Sequence, residues 1–233
     1  MKIDNYSQKF IHYYTEGIPC LIEEIFKNNQ INSFMDLGAG DGALLYALNK
    51  KGYLDHPRKV IATDVSIDRV NNIRLINDRI RCFVADANSL NMVKDKSLDL
   101  VVSSQVIEHL QNQDEFLSRI NRIIKDSGTV YLSTVFRKWY GWYFYRCNGR
   151  WALDPTHLRE YGKESELLDI VNKYNFKVVR NKKTLQWFAV LDFFLKRIIK
   201  KRDIYGNKFF KALRYIKIPV PGYYNWELVL KKI

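Results

Sequence analysis

Short runs of apolar and β-branched residues alternate along most of the chain with longer stretches whose apolar residues recur every three or four positions. The short runs predict strands and the longer stretches predict helices, because side chains repeat every second residue in a strand and about every 3.6 residues in a helix. The predicted strands are SFMDLG, KVIATD, IRCFVAD, LDLVVSS, TVYLSTV, FKVVRN and WELVLKK. The predicted helices cover residues 42–51, 66–77, 112–125 and 163–174. Strands that alternate with helices indicate a mostly parallel sheet with helices on both faces.

Three segments extend this alternating pattern. Residues 1–30 predict an N-terminal helical cap, residues 136–160 an aromatic insertion, and residues 185–222 a basic amphipathic insertion. The cap is predicted from apolar residues at helical spacing, which are Ile18, Leu21, Ile22, Ile25 and Phe26. Because neither a repeat nor a low-complexity linker separates these segments, we predict that residues 1–233 form a single domain.

The composition excludes a disordered chain. Of the 233 residues, 47% are hydrophobic and 14% are aromatic, which is enough apolar material for a large core. The three cysteines lie far apart and form no metal-ligand spacing, as expected in a reducing compartment. The first residues, MKIDNYSQKF, lack the apolar core of a signal peptide, and no apolar run approaches the ~20 residues of a spanning helix. We therefore expect a cytoplasmic protein.

The positive charge of the chain is concentrated in one segment. The net charge is +13, and residues 177–217 hold 13 Lys or Arg residues against two Asp residues. Within this segment, residues 187–202 and 208–217 predict two amphipathic helices. The predicted apolar faces consist of Trp187, Leu191, Phe194, Leu195 and Ile198 in the first helix, and Phe209, Phe210, Leu213 and Ile216 in the second. Such a segment fits an anionic membrane surface, a nucleic-acid phosphate backbone, or a solvated cover on the acceptor side.

The first predicted strand runs into a glycine-rich turn. Gly38, Gly40 and Ala43 satisfy the loose dinucleotide pattern G-x-G-x-x-G/A. Asp36 and Asp41 argue against a pyrophosphate, since two carboxylates would face its negative charge. A ligand with a cationic amine and a sulfonium suits the same turn, and the glycines let the backbone approach it closely.

Five motifs in order resemble those of the class I S-adenosylmethionine-dependent methyltransferases. They are DLGAGDG, IATDVS, VADANSL, LDLVVSSQVIEHL and INRIIKDSGTVYLST, and together they cover roughly residues 30–135. The resemblance implies a Rossmann-like α/β fold: a seven-stranded methyltransferase sheet whose last strand is antiparallel, with helices on both faces. It also implies S-adenosyl-L-methionine as the cofactor.

The resemblance further implies which residues bind the cofactor. Asp64 occupies the position of the family's ribose-binding acid, and Asp86 the position that contacts the adenine amine. The implied set is Asp36, Gly38, Ala39, Gly40, Asp64, Val65, Asp86, Ala87, Ser104 and Gln105. A carboxylate accepts two hydrogen bonds from a ribose diol, which supports Asp64. Purely structural roles stay open: Asp64 could begin a helix, Asp86 could cap a short one, and Asp36 could only form the turn.

Two histidines are candidates for the general base or for a residue that orients the substrate. His109 follows the fourth predicted strand, and His157 lies in DPTHLREY, which resembles a D-x-x-H-x-R element of the family. A hydroxyl acceptor needs a base near neutral pH, and histidine is the usual one. The alternatives are that His109 caps the following helix and that His157 orders a loop.

We do not predict a metal ion at this site, although one feature of the sequence suggests it. Some relatives, which methylate small-RNA termini or quinone precursors, carry an E-x-x-E-H element with a metal ion. Here Gln105 replaces the first Glu, and an amide is a poorer ligand for a hard divalent ion. Glu108, His109 and His157 could still form a site.

The aromatic insertion suggests where the acceptor binds. Its aromatic residues are Trp139, Tyr140, Trp142, Tyr143, Phe144, Tyr145 and Trp151. They suit the wall or lid of a pocket, or a packed cover over the sheet. Arg137, Arg146 and Arg150 lie among them and could bind a phosphate or carboxylate of the acceptor.

These observations predict an S-adenosylmethionine-dependent methyltransferase that O-methylates a small-molecule, sugar or lipid-linked acceptor. An RNA methyltransferase is the alternative enzyme, suggested by charge alone, and nucleic acid is the less favoured partner. A cofactor-binding scaffold without catalysis is the alternative from another class. Peripheral contact with an anionic inner membrane surface through residues 187–217 is a further expectation.

Overall fold

The computed structural model describes residues 12–147, 149–192, 195 and 202–233. They group into two compact units. The first unit lies within Met1–Ala87 and Phe188–Ile218, and the second within Asn88–Trp187 and Pro219–Ile233. The prediction of a single domain over residues 1–233 is not tested by this grouping and stays a prediction.

The first unit is built on three parallel strands in the order β3-β2-β1. The strands are β1 (Ser33–Leu37), β2 (Lys59–Asp64) and β3 (Ile80–Val84). The helices are α1 (Cys20–Asn28), α2 (Ala43–Lys50), α3 (Ile67–Arg74) and, later in the chain, α6 (Lys208–Leu213), which a 3₁₀ turn (Ile204–Gly206) precedes. All five residues of β1 are buried, as expected for a strand of a parallel sheet with both faces covered.

The second unit holds β4 (Leu98–Ser104), β5 (Ile124–Arg137) and most of β8 (Phe176–Ala189) and β9 (Lys217–Lys232), in the order β4-β5-β9-β8. Strand β5 is parallel to β4, and β9 is antiparallel to β5. The helices are a 3₁₀ turn (Ile107–His109), α4 (Gln113–Ile123) and α5 (Ser165–Lys173). Strands β6 (Tyr145–Cys147) and β7 (Arg150–Ala152) form a separate antiparallel hairpin.

The predicted fold class is confirmed. Seven strands form one mixed sheet, and its last strand in the chain, β9, is antiparallel. Helices connect the strands, as the alternating pattern predicts for a Rossmann-like α/β fold. The carboxyl ends of β1, β2 and β3 therefore share one edge of the first unit, where such sheets bind ligands.

The predicted N-terminal helical cap is wrong over residues 12–19. Helix α1 begins only at Cys20, and its N-cap is Pro19. Proline fixes φ and disfavours helical backbone in the residue before it, so Ile18 does not continue the helix. Residues 1–11 of the predicted cap lie outside the described residues.

The predicted helix over residues 187–202 is wrong at its start. Strand β8 continues through Ala189, so Trp187 lies on a strand, and helical backbone begins at residue 190. The reason is tertiary: β9 is long enough to pair with β8 over its whole length, and aromatic residues fit a strand well. Residues 193–194 and 196–201 of that predicted helix lie outside the described part of the chain.

The second predicted amphipathic helix is shorter than expected. Helix α6 ends at Leu213, and residue 217 already belongs to β9. The predicted apolar face is not covered, since Phe209 on α6 is 64% exposed and Ile216, beyond the end of α6, is 59% exposed. Phe210 is the exception, because it packs against a small core cluster. That cluster consists of Tyr13, Leu195, Ile204 and Tyr205, with Leu191 beside it.

Candidate active site

The glycine turn after β1 is held open by backbone geometry. Gly40 has a φ of 57°, a left-handed conformation that residues with a side chain rarely adopt. The backbone N–H groups of Gly38 and Ala39 donate to the carbonyl oxygen of Thr63 at 2.9 and 2.8 Å. The turn is thereby fixed against the end of β2.

Asp64 anchors this turn with one carboxylate oxygen and the chain after β2 with the other. Its Oδ2 accepts from the backbone N–H of Gly40 at 2.9 Å, and its Oδ1 from that of Ser66 at 3.0 Å. Arg69 Nη1 lies 3.8 Å from Oδ2. The side chain is buried, and each oxygen keeps acceptor capacity for a second donor. The ribose-binding role of Asp64 stays a prediction, and the structure adds a positioning role that the sequence did not suggest.

Asp36 offers an acceptor that the protein itself leaves unsatisfied. It is only 2% exposed, and no hydrogen-bond donor reaches its Oδ2 among the residues the structure describes. Burial, followed by the charge of Asp64, raises the pKa of Asp36 to about 7. A ligand with ammonium or hydroxyl donors would satisfy this oxygen. A pyrophosphate would instead be repelled by the carboxylates of Asp36 and Asp64. The residues present therefore fit S-adenosylmethionine.

Asp41 plays a role that the sequence did not reveal. Its fully buried carboxylate accepts from the His12 backbone N–H, Asn72 Nδ2 and Arg202 Nε, at 2.9, 2.9 and 3.0 Å. The Tyr14 hydroxyl donates to its carbonyl oxygen at 2.9 Å. Asp41 thus ties the turn to the N-terminal and basic segments, and its paired charge no longer counts against a pyrophosphate. Arg202 is 161 residues away in the chain, so no local pattern marks the contact.

The remaining predicted cofactor residues lie at strand ends in their own units. In the first unit, Val65 follows β2, while Asp86 and Ala87 follow β3, at the edge that carries the glycine turn. In the second unit, Ser104 ends β4 and Gln105 follows it with a φ of 56°. Gln105 Nε2 donates to Asn225 Oδ1 at 3.1 Å. A left-handed non-glycine residue is strained, and such strain is common at ligand sites.

Glu108 lies at the centre of a second cluster. It is fully buried within the 3₁₀ turn that follows β4. Thr134 Oγ1 donates to its Oε2 at 3.0 Å, and Oε1 has no hydrogen-bond partner within the described ranges. Burial raises its pKa to about 7, although the charge of His157 opposes the shift. The sequence drew attention to Glu108 only as part of a metal pattern.

His157 is held by an acidic partner. Its Nδ1 lies 2.8 Å from Glu160 Oε1, and both side chains are buried. Burial lowers the pKa of His157, but the hydrogen bond that its ring donates to Glu160 and the charge of Glu108 outweigh that effect, so the pKa is raised. Glu160 Oε1 also accepts from the backbone N–H of Leu153 at 2.8 Å. Glu160 was not singled out from the sequence, although its spacing of three from His157 is the local signal.

The structure brings the two predicted catalytic histidines together. The ring centroids of His109 and His157 lie 4.8 Å apart. His109 Nδ1 lies 3.1 Å from Thr156 Oγ1, which in turn donates to Asp154 Oδ1 at 2.5 Å. The suggestion that His109 caps the following helix is wrong, because Asn112 caps α4. One ligand atom from each of Glu108, His109 and His157 lies within 4.8 Å of the others, so this trio could hold a metal ion. The absence of a metal stays a prediction.

A cavity of about 470 Å³ opens beside His157 in the second unit. It is lined by Gln113, Arg137, Arg150, Trp151, Ala152, His157, Leu158, Arg159, Glu160, Tyr161 and Glu166. Its volume lies within the roughly 300–1,000 Å³ of small-molecule sites. Of the aromatic insertion, Trp151 forms part of the wall, whereas Trp139 is 90% exposed. The insertion therefore contributes one aromatic wall to this cavity and does not pack as a continuous cover.

Comparison with known proteins decides the family. A family described as a methyltransferase domain matches residues 10–181, which is well over half of the chain. The chain belongs to this methyltransferase family. Class I S-adenosylmethionine-dependent methyltransferases were predicted from the motifs, and that assignment is confirmed, together with S-adenosylmethionine as the cofactor.

The chain is similar to curated proteins and to solved structures. The ubiquinone biosynthesis O-methyltransferase of Bartonella quintana is 22% identical over 160 residues, which are 66% of this chain and 62% of that protein. A SAM-dependent methyltransferase of Methanosarcina mazei has a TM-score of 0.63 at 13% identity, over 93% of this chain and 98% of the other. The [4+2]-cyclase SpnF has a TM-score of 0.61 at 18% identity, over 96% and 87%. These two structures show the fold alone. The chain spans 34% to 62% of the length of three curated relatives that it matches.

Proposed function

We propose that this methyltransferase transfers the methyl group of S-adenosylmethionine to a hydroxyl oxygen of a small-molecule, sugar or lipid-linked acceptor. The observation that carries the proposal is the buried His157–Glu160 pair in the wall of the 470 Å³ cavity. A hydroxyl must lose its proton as the oxygen becomes a nucleophile, and a histidine held by a carboxylate is suited to take it. The O-methyltransferase name of a relative supports the same chemistry.

The cofactor is assigned to the strand ends of the first unit. Ser104 and Gln105 stay in the set of cofactor residues that the family resemblance implies. When bound, S-adenosylmethionine supplies a methyl group on a positively charged sulfur. Asp36 Oδ2 would accept from the ligand, since no donor within the described chain reaches it. Asp64 would bind the ribose hydroxyls, and Asp86 the adenine amine, as the family resemblance implies.

His157 is assigned as the general base. Glu160 engages Nδ1, so Nε2 is the nitrogen that takes the proton of the acceptor hydroxyl. The Glu160 carboxylate then stabilises the imidazolium that forms, and it fixes the ring orientation beforehand. His109, with its ring against that of His157, is assigned to orient the acceptor. The loop-ordering role suggested for His157 is compatible with this assignment, since the same hydrogen bond does both.

The test separates cofactor binding from methyl transfer. Calorimetry with S-adenosylhomocysteine measures cofactor binding. Release of S-adenosylhomocysteine from S-adenosylmethionine, in the presence of matched alcohols, phenols or amines, measures methyl transfer. The proposal predicts saturable nucleoside binding and turnover with hydroxyl acceptors. Turnover with amines alone would refute O-methylation while leaving the family unaffected.

One observation favours a second candidate, a cofactor-binding protein without methyl transfer. The [4+2]-cyclase SpnF has the same fold, so the fold does not by itself fix the reaction. Nucleoside binding without turnover on any hydroxyl or amine acceptor would favour this candidate. Nothing comparable favours the RNA methyltransferase, which rested on charge alone.

The positive charge of the basic segment, residues 177–217, is partly neutralised by acidic side chains of the protein itself. Arg202 pairs with Asp41, Arg214 with Asp192, Lys211 with Glu16, and Lys183 with Glu164. These internal pairs weaken the argument for a nucleic-acid footprint. Exposed apolar residues around α6 still support peripheral contact with an anionic membrane surface, which we keep as a proposal together with the cytoplasmic location. Among the described residues, no helix has the length and apolar content to span a bilayer.

Liposome flotation tests the membrane contact. Deleting residues 187–217 would remove buried residues such as Ile204 and Tyr205, so point variants are preferable. Phe209→Ser and Ile216→Ser should each reduce flotation with anionic vesicles, because both side chains are exposed. Leu75→Ser is the control, because Leu75 is an apolar residue at the end of α3 and is 86% exposed. Equal flotation of all variants would remove the proposal.

A further inference from the structure

The cavity beside His157 has a positively charged wall that the proposed proton transfer does not need. Three guanidinium groups, from Arg137, Arg150 and Arg159, line it. The carboxylates in the lining are those of Glu160 and Glu166. Most of these charges have partners of their own, so the three arginines are not equivalent.

Arg159 is engaged with the backbone. Its Nη1 donates to the carbonyl oxygen of Leu110 at 2.6 Å, and its Nη2 to that of Gln111 at 3.1 Å. Arg137 Nε lies 3.8 Å from Glu160 Oε2. These contacts hold the two side chains in place at the wall. Arg159 and Arg137 therefore contribute fixed positive charge, but part of their donor capacity is used.

The two acids of the lining are also engaged. Glu166 Oε2 accepts from the backbone N–H groups of Gly162 and Lys163 at 2.9 and 3.2 Å. Glu160 holds His157 and the backbone of Leu153. Neither acid pairs with Arg150, and within the described residues no other acid does. Arg150 thus presents an exposed guanidinium at the wall, with no protein carboxylate to neutralise it.

The wall next to Arg150 is built on the β6–β7 hairpin. Arg150 and Trp151 are consecutive on β7, and Arg146 on β6 is registered opposite Trp151. The guanidinium carbon of Arg146 lies 4.2 Å from the Trp151 ring centroid, a cation–π distance. Of the three arginines suggested by the sequence, Arg146 therefore stacks on the wall, while Arg137 and Arg150 face the cavity. An arginine fork matches the geometry of a carboxylate or phosphate.

We propose that this cavity takes an acceptor that carries an oxyanion, either a carboxylate or a phosphate monoester, and that Arg150 is its anchor. The inference rests on the proposed function only in treating the ligand as the methyl acceptor. Binding of the oxyanion itself requires neither cofactor nor turnover. The acceptor class is thereby narrowed from any hydroxyl compound to hydroxy acids and phosphorylated alcohols.

The test measures binding of benzoate, phenyl phosphate and neutral benzamide to the full chain by ligand-observed NMR. Benzoate or phenyl phosphate should bind saturably and at least about tenfold more tightly than benzamide, since a charge-assisted pair is lost in the amide. The tighter of the two anions identifies the kind of oxyanion. Equal binding of benzamide, or no binding of either anion, would overturn the proposal.

Variants locate the anion. Arg150→Gln should weaken anion binding by about tenfold or more, and Arg150→Lys should restore part of it, because charge returns without the fork. Arg180→Gln, at an exposed position of β8 outside the cavity lining, is the matched control and should bind as the wild type does. An unchanged affinity of Arg150→Gln contradicts the anchor. Calorimetry with S-adenosylhomocysteine on the same samples reports cofactor binding separately, so loss of that binding alone would count against the proposed function and not against the oxyanion site.

Discussion

The glycine turn of the first unit is formed by backbone groups, whereas the histidine cluster of the second unit is formed by side chains. At the turn, backbone N–H groups and left-handed glycines create the shape, and Asp64 holds it from the neighbouring strand. At the cluster, side chains from two distant loops meet, with Thr156 and His109 separated by 47 residues. The first site depends on backbone conformation, and the second on buried charge. Substitutions should therefore affect binding at the first site and proton transfer at the second.

The sharpest test of this contrast is His157→Gln. We expect a loss of turnover of roughly 10²–10⁴-fold, the usual contribution of a general base, because glutamine cannot take the proton. Affinity for S-adenosylhomocysteine should stay unchanged, which calorimetry checks. His56→Gln, at an exposed position, serves as the control. Full turnover of His157→Gln at every pH would remove His157 as the base.

The next effect concerns the stability of the turn. Asp41→Asn should lower the free energy of unfolding by about 3 kcal/mol, because Arg202 loses a buried carboxylate partner. Urea unfolding followed by circular dichroism measures the change. Glu24→Gln, at an exposed position of α1, should have an effect within about 0.5 kcal/mol. Equal stabilities of the two variants would show that the Asp41 contacts contribute little.

Substitution of Asp64 should act on binding. In Asp64→Asn, an amide group would face the backbone N–H of Gly40 or Ser66, which disturbs the turn and removes a charge-assisted acceptor. We expect affinity for S-adenosylhomocysteine to fall by roughly tenfold to a hundredfold, as measured by calorimetry. Asp78→Asn, an exposed acid of the same unit, should bind normally. Unchanged affinity of the Asp64 variant would refute both its ribose-binding and its positioning role.

The smallest effect is a shift of the pH profile. His157 must be neutral to act as a base, and Glu160 contributes to raising its pKa above 6.5. In the wild type, kcat/KM should therefore fall with decreasing pH at a midpoint above 6.5. Glu160→Gln removes the negative charge, so the pKa of His157 falls and the midpoint should move to lower pH. A midpoint that moves to higher pH, or does not move, would contradict the pairing.

The sequence predicted the sheet well because its signals are local. The run KVIATD and the turn DLGAGDG each contain the residues that determine their own backbone, so the strand and the left-handed turn follow from short windows. The candidate histidines were also found, since each lies just after a predicted strand or within a motif. Their meeting could not be derived, because it depends on how the loop after β5 returns to the 3₁₀ turn.

The predicted N-terminal cap fails for a local reason, which is Pro19, whereas the other features were missed because their partners are distant in sequence. Trp187 has a helical pattern, yet it lies on β8 because a long β9 lies beside it. The contact between Asp41 and Arg202 has no local mark at all. Arg150 was grouped with Arg146, and only the register of the β6–β7 hairpin separates their roles.

Asp41 also makes two parts of the first unit energetically dependent on each other. It follows Gly40, whose N–H donates a hydrogen bond to Asp64, and its carboxylate accepts a hydrogen bond from Arg202 of the basic segment. If occupation of the turn alters the strength of the Asp41–Arg202 contact, thermodynamic reciprocity requires that anything which displaces Arg202 alters nucleoside affinity by the same factor. Cofactor binding at the turn and partner binding at the basic segment would then be coupled through the Asp41 carboxylate.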